Sequence, residues 1–208
     1  LAKDAPAFVG ADSPLLLEAV KGAKARVITY GFAPKADVRP QRYEDLGEQG
    51  SRFEVAGFPT IHLRLVGRHQ VQNALGALAI AKHHSLDPEK VAEALSAHRP
   101  LKGRMEVKHA AGATLLLDHY NANPDSTRAA LATLASWPNA TRRIAVLGDM
   151  RELGETAAQL HRETGAAVQN AELWTVGVHA ADYAAGAETV GIEARLFPDK
   201  SAVASALQ

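Results

Sequence analysis

The segment Asp118-His-Tyr-Asn-Ala-Asn-Pro-Asp-Ser-Thr127 gathers a carboxylate, a phenol and two amides within Asp118–Asn123. Such groups hold polar, hydroxyl-rich ligands by directional hydrogen bonds. Asp118 ends the apolar run Ala113–Leu117, which has the length of a strand. A carboxylate at the C-terminal tip of a strand either accepts hydrogen bonds from ribose hydroxyls or caps a neighbouring helix. Asn123-Pro124 reads as a helix cap followed by the first helical residue. Asp125 then lies in the first turn, where the helix dipole favours negative charge. Helix initiation accounts for Asn123, Pro124 and Asp125. It leaves Asn121 to bond a ligand or to hold the loop. In open α/β sheets, turns of this kind at the carboxyl ends of strands are where ligands bind.

Two further segments carry chemistry. Leu147-Gly-Asp149-Met-Arg151-Glu152-Leu-Gly154 follows the apolar strand Ile144–Leu147. It is either the wall of a polar substrate pocket or a charged surface loop with glycine turns. In Gly67-Arg-His69-Gln-Val-Gln-Asn73-Ala, a strand ends at glycine and a helix begins with polar residues. His69 and Asn73 stand four apart and share a helix face near its N-terminus, where they either meet a purine edge or a phosphate or serve the fold.

Several chemistries are excluded. The chain has no cysteine, which removes disulfides, thiolate metal sites and cysteine nucleophiles. The nine histidines show no metal-ligand spacing. There is no GxSxG elbow, no G-x-x-x-x-G-K-[ST] phosphate loop and no GxGxxG after a strand, so a Rossmann-type oxidoreductase is disfavoured. Lys and Arg total 23 and Asp and Glu total 23, a balance that does not suit a nucleic-acid binder working through a basic field. No secretory signal or membrane-length apolar run stands in the sequence, and a cytoplasmic protein is expected.

The elements that must position these groups are α/β. In residues 1–100, strands are expected at 26–30, 51–55 and 60–66 and helices from Pro14, over 68–83 and over 88–97, with Asp87 as a cap. Residues 101–106 hold a lysine-glycine-arginine after a proline and read as a linker. From residue 113, strands at 113–118, 143–148, 172–176 and 193–197 alternate with helices at 125–136, 155–168, 179–186 and 199–207. That alternation is the pattern of a parallel, doubly wound, Rossmann-like sheet over residues 107–208.

Taken together, GRHQVQNALGALA, LKGRMEV, LLLDHYNANPDS, VLGDMRELG and His161-Arg-Glu-Thr-Gly165 resemble, in that order, the Mur ligases of peptidoglycan synthesis. The YNANP and LGDM-x-ELG elements resemble the branch that adds D-Ala-D-Ala to UDP-N-acetylmuramoyl-tripeptide. The resemblance implies the later part of a central ATPase domain over residues 1–100, a hinge at 101–106, and a Rossmann-like ligase domain over 107–208. It implies ATP and Mg²⁺ as cofactors, UDP-N-acetylmuramoyl-tripeptide and D-Ala-D-Ala as partners, and a monomer. Carried over by position, Asn73 bonds the adenine and His69 sits beside the base. Arg104 reaches the ribose or phosphates, and Asp118 holds the ribose hydroxyls. Tyr120, Asn121 and Asn123 shape the wall near the incoming amine, and Asp149, Arg151 and Glu152 face the dipeptide.

Gln70 departs from the resemblance, standing where the family usually has the asparagine of a His-Asn pair. The phosphate loop and magnesium ligands are expected upstream of Leu1, and a last strand with a Lys-Gly-Ser element downstream of Gln208. The chain is therefore expected to carry nucleotide- and acceptor-side groups, with no catalytic residue and no metal ligand of its own. The alternatives are another Mur-type amino-acid ligase and a non-catalytic nucleotide-binding module.

Overall fold

The computed structural model describes residues 5–207, which form two compact units, one up to Pro100 and one from Leu101. Within the first unit, β1 (Pro6–Gly10) pairs in parallel with β2 (Arg26–Tyr30). Helix α1 (Pro14–Ala19) lies between them, with Ser13 as its cap and Pro14 at its start. An antiparallel sheet follows: β3 (Pro40–Asp45), β4 (Ser51–Val55) and β5 (Ile61–Leu63). In β4, alternation buries Phe53 and Val55 and exposes Arg52. Helix α2 (Arg68–His83) packs Val71, Leu75 and Leu78 into the same core as Phe53, Ile61 and Leu63. Helix α3 (Pro88–Ala97) starts where Asp87 accepts the N–H groups of Glu89 and Lys90 at 3.0 and 3.4 Å.

The second unit opens with an antiparallel hairpin, β6 (Glu106–Ala110) and β7 (Ala113–Leu117). Helix α4 (Pro124–Ala135) follows, and then β8 (Ile144–Leu147), α5 (Ala157–Gly165), β9 (Glu172–Val176), α6 (Ala180–Glu188), β10 (Ala194–Phe197) and α7 (Lys200–Ala206). Strands β8, β9 and β10 form a parallel sheet with β9 at its centre. Successive residues of β9 face opposite ways, as the pleat requires. Leu173 joins Leu131 of α4 and Tyr183 and Ala187 of α6 in one core. Trp174 joins Phe197 and Val203 of α7 in another. Helices thus cover both faces of the sheet.

The expectation that 113–118 opens the parallel sheet does not hold. The run pairs antiparallel with β6, whose first residue, Glu106, was expected in the linker. The two strands are joined by Ala111-Gly112, with φ of +49° and +76°. Two successive positive φ values make the primed turn that matches strand twist. The helix expected at 155–168 is shorter: a 3-10 turn, Gly154–Thr156, leads into α5, which ends at Gly165. Among the described residues no helix is long and apolar enough to cross a membrane.

Candidate functional site

In the first unit, Gly67 adopts a φ of +101° and starts α2, which no side chain caps. His69 and Asn73 follow in its first turns. The Asn73 amide is exposed and donates to Gln70 Oε1 at 3.4 Å. Gln70 therefore points along the helix toward Asn73. The Arg68 guanidinium lies 3.6 Å from the centre of the Phe32 ring and 5.6 Å from that of Tyr43. This cation on an aromatic shelf was not legible in the sequence, because Phe32 and Tyr43 come from distant segments.

In the second unit, the segment expected as a linker is folded onto the Asp118 turn. The Met105 N–H donates to Asp118 Oδ1 at 3.1 Å. The Tyr120 N–H donates to the Gly103 carbonyl at 3.0 Å, and the Gly103 N–H donates to Glu106 Oε2 at 3.1 Å. That last bond, with Lys108 beside it, holds the Glu106 carboxyl below the usual carboxylate range. Gly103 has φ +70°, and a Cβ there would meet the His119 ring at 3.0 Å. Arg104 lays its guanidinium 4.3 Å from the centre of the Tyr120 ring, which is 69% exposed. Among the described residues, Asp118 Oδ2 receives no hydrogen bond. The turn thus presents one carboxylate oxygen beside an exposed arginine–tyrosine stack.

Asn123 caps α4. Its Oδ1 accepts the Ser126 N–H at 2.9 Å, and Ser126 Oγ accepts the Asn123 N–H at 3.1 Å. This reciprocal box satisfies two backbone donors at the helix start. The Asn121 side chain is exposed and accepts the Ala122 N–H. Replacing Asn123 with alanine is expected to cost about 1 kcal/mol of stability. Asn123→Asp keeps the cap, so a loss of substrate affinity that persists in that variant would mark a role beyond capping. Thermal midpoints and substrate affinities of the two variants separate these outcomes.

The 148–154 loop is tied down residue by residue. The Tyr183 hydroxyl donates to the Gly148 carbonyl at 3.1 Å. Asp149 accepts the N–H groups of Val178 and His179 at 3.0 and 2.9 Å. The Met150 N–H donates to His161 Nε2 at 3.0 Å, and the Thr127 hydroxyl reaches Met150 Sδ at 3.7 Å. Asp149 was expected among the groups facing a dipeptide. Both its oxygens instead serve the start of α6, and Gly177 is glycine because a Cβ would lie 2.5 Å from that carboxylate. Arg151 and Glu152 are exposed, and Glu152 has φ +63°. The loop therefore has a fixed base and a projecting charged tip.

Two titrations follow from this packing. Burial, with the Asp149 charge nearby, pushes the Tyr183 phenol well above its ordinary range, so it remains a neutral donor. Burial pushes the Asp149 carboxyl up, but the His179 and Val178 N–H groups outweigh it and leave the carboxyl lowered. A lowered folded value means that the contribution to stability is full above the unfolded value, about pH 4, and is lost as pH falls through the folded one. Asp149→Asn is accordingly expected to flatten the acid limb of a plot of thermal midpoint against pH. Parallel curves for the two proteins would show that Asp149 contributes nothing there.

Sequence reasoning missed the set His161, His179, Asp182 and Tyr183 as a unit. His179 Nδ1 lies 2.9 Å from Asp182 Oδ2, and its ring stacks on His161 at 4.2 Å. A signal was present: β8 and β9 each end in an apolar residue followed by glycine, Gly148 and Gly177. Gly177 leaves room for the Asp149 carboxylate between the loops, whereas a Cβ on Gly148 would make only an ordinary contact at 3.9 Å. Among the described residues, no three His, Asp or Glu side chains come together to hold a metal ion.

Comparison with known proteins gives consistent matches. Residues 103–208 match the family profile described as "Mur ligase, glutamate ligase domain", and residues 1–81 match "Mur ligase middle domain". A MurF structure from Acinetobacter baumannii superposes with a TM-score of 0.84 at 27% identity, covering 100% of this chain and 45% of that one. MurF from Thermotoga maritima in complex with ADP gives 0.79 at 20% identity, covering 99% and 47%. A folylpolyglutamate synthase from Mycobacterium tuberculosis, complexed with ADP and AMPPCP, gives 0.71 at 20%, covering 97% and 48%. The last two likenesses are of fold. The chain spans less than half the length of these proteins.

Proposed function

Because the chain belongs to the Mur ligase family, we propose that it forms part of an ATP-dependent ligase joining D-Ala-D-Ala to UDP-N-acetylmuramoyl-tripeptide. The observation that carries this reading is the Asp118 turn. One carboxylate oxygen is committed to the Met105 N–H, the other receives no hydrogen bond among the described residues, and the Arg104–Tyr120 stack is carried by the same turn. A carboxylate acceptor suits the vicinal hydroxyls of a ribose, and a guanidinium suits phosphate oxygens.

In this reading ATP phosphorylates the terminal carboxylate of the tripeptide and leaves as ADP. The amine of D-Ala-D-Ala attacks the acyl phosphate, and the tetrahedral intermediate collapses to an amide and phosphate. Asn73 bonds the adenine edge and His69 lies beside the base. Arg104 meets ribose or phosphate, and Asp118 holds the ribose hydroxyls. Tyr120, Asn121 and Asn123 line the side from which the amine arrives. Arg151 and Glu152 face the dipeptide, while Asp149 holds their loop. Among the described residues no cluster of three His, Asp or Glu side chains gathers to hold a metal ion, and no step is assigned to Mg²⁺. The expected setting is the cytoplasm, where the enzyme acts as a monomer.

ADP release by the natural full-length protein tests the proposal, with the 208-residue chain assayed beside it. ATP, Mg²⁺ and UDP-N-acetylmuramoyl-tripeptide are supplied with D-Ala-D-Ala or with glutamate, lysine or diaminopimelate as acceptor. Release that depends on D-Ala-D-Ala is the expected result. Release with another amine would overturn the acceptor assignment. Silence with all of them would leave a nucleotide-binding module.

A further inference from the structure

We propose that His161 is a positioning residue for the acceptor loop: its ring fixes the Met150 backbone and so sets the stance in which Arg151 and Glu152 meet the dipeptide. The inference rests on the ligase reading, in which that loop faces the incoming amine.

The His161 side chain is fully buried. Its Nδ1 donates to the Ala157 carbonyl at 2.6 Å, one turn back in the same helix. Its Nε2 accepts the Met150 N–H. One ring nitrogen gives a proton and the other receives a hydrogen bond, which defines a neutral imidazole protonated on Nδ1. The donor side is local to the helix. The acceptor side is not, and it ends on the residue just before the projecting tip.

The ring also organises the other two ties of the loop. Its flat face lies on His179, whose N–H holds Asp149, with the ring planes 20° apart. The ring also packs in a T-shaped arrangement with Tyr183, ring centres 4.8 Å apart, and the Tyr183 hydroxyl holds Gly148. Three consecutive residues, Gly148, Asp149 and Met150, are thus held by one cluster with His161 at its centre. The ties stop at Met150, and the two exposed charges come next. Packing alone does not require an imidazole here, because a phenyl ring fills similar space. Only a hydrogen-bond acceptor satisfies the buried Met150 N–H.

Three substitutions in the full-length enzyme test this. His161→Gln can reach the Met150 N–H, His161→Asn reaches only toward Ala157, and His161→Phe keeps the ring without either bond. We expect His161→Asn and His161→Phe to raise the KM for D-Ala-D-Ala about tenfold, with His161→Gln within about threefold and the KM for ATP unchanged in all. Amide exchange at Met150 should quicken in His161→Asn and stay slow in His161→Gln, which keeps the test open if His161→Phe does not fold. An unchanged dipeptide KM in His161→Asn, with only the active fraction reduced, would overturn the proposal. So would equal rises for ATP and dipeptide. If the wild-type enzyme takes a different amine, the acceptor assignment falls, and the same KM comparison with that amine decides the role of His161.

Discussion

Replacing Gly186 with alanine destabilises the second unit by about 3 kcal/mol or more, and Gly165→Ala has a similar effect. Overpacking a filled core commonly costs ~1–3 kcal/mol when side chains can shift to make room. Here they cannot. A Cβ on Gly186 would lie 1.8 Å from the Arg162 carbonyl oxygen, and one on Gly165 would lie 2.1 Å from that of Tyr183. The two glycines sit on α6 and α5 and face each other's backbone. The added methyl must push the helices apart, and that separation loosens Tyr183 and His161 at the loop beneath. Gly148 is the control, since a Cβ there meets nothing nearer than the Val176 carbonyl at 3.9 Å. Chemical denaturation read by amide exchange in α5 and α6 should show early opening in the two helix variants. Denaturation midpoints equal to that of Gly148→Ala would refute the backbone-contact argument.

The second large effect is expected at Asp118. In the intact enzyme Asp118→Asn should weaken ATP binding by roughly 10- to 150-fold, the equivalent of a charge-assisted hydrogen bond worth roughly 1.5–3 kcal/mol. Asparagine is chosen over alanine for a structural reason. Its carbonyl can still accept the Met105 N–H, so the turn at Gly103–Met105 persists while the charge is lost. Stability should therefore stay near wild type. An ATP affinity unchanged in Asp118→Asn would remove Asp118 from the nucleotide site. A large drop in thermal midpoint would make its bond to Met105 the main role.

What could be read from the sequence follows from how local its causes are. Helices α2 and α3 are found where expected because their starts are set by Gly67 and by Asp87-Pro88, which act within one turn. Pro124 and Asn123 announce α4 in the same way. The Asp118 turn was legible as a strand-to-helix turn because strand, carboxylate and helix start are contiguous. Strand β3 gave no signal. Its residues Pro-Gln-Arg-Tyr-Glu-Asp bury little, and its conformation comes from pairing with β4. The β6–β7 hairpin was missed because Ala111-Gly112 is not a usual primed-turn pair, and an apolar run does not state which partner it takes. The loop-holding bonds of Asp149 were missed for a similar reason. An aspartate after a strand reads as ligand-facing, but its donors lie at Val178 and His179, on the far side of α5 and β9.

The folding of residues 103–105 onto Asp118 and Tyr120 has a consequence for delivery. Arg104 is clasped to Tyr120, and its neighbours on either side are bonded to Tyr120 and Asp118. Cation and anion are therefore held on one backbone turn. In the proposed ligase reading, a nucleotide meeting this turn finds the two charges already set side by side. The ordering entropy of the pair is already spent when the domain folds, which leaves more of each contact to appear as affinity.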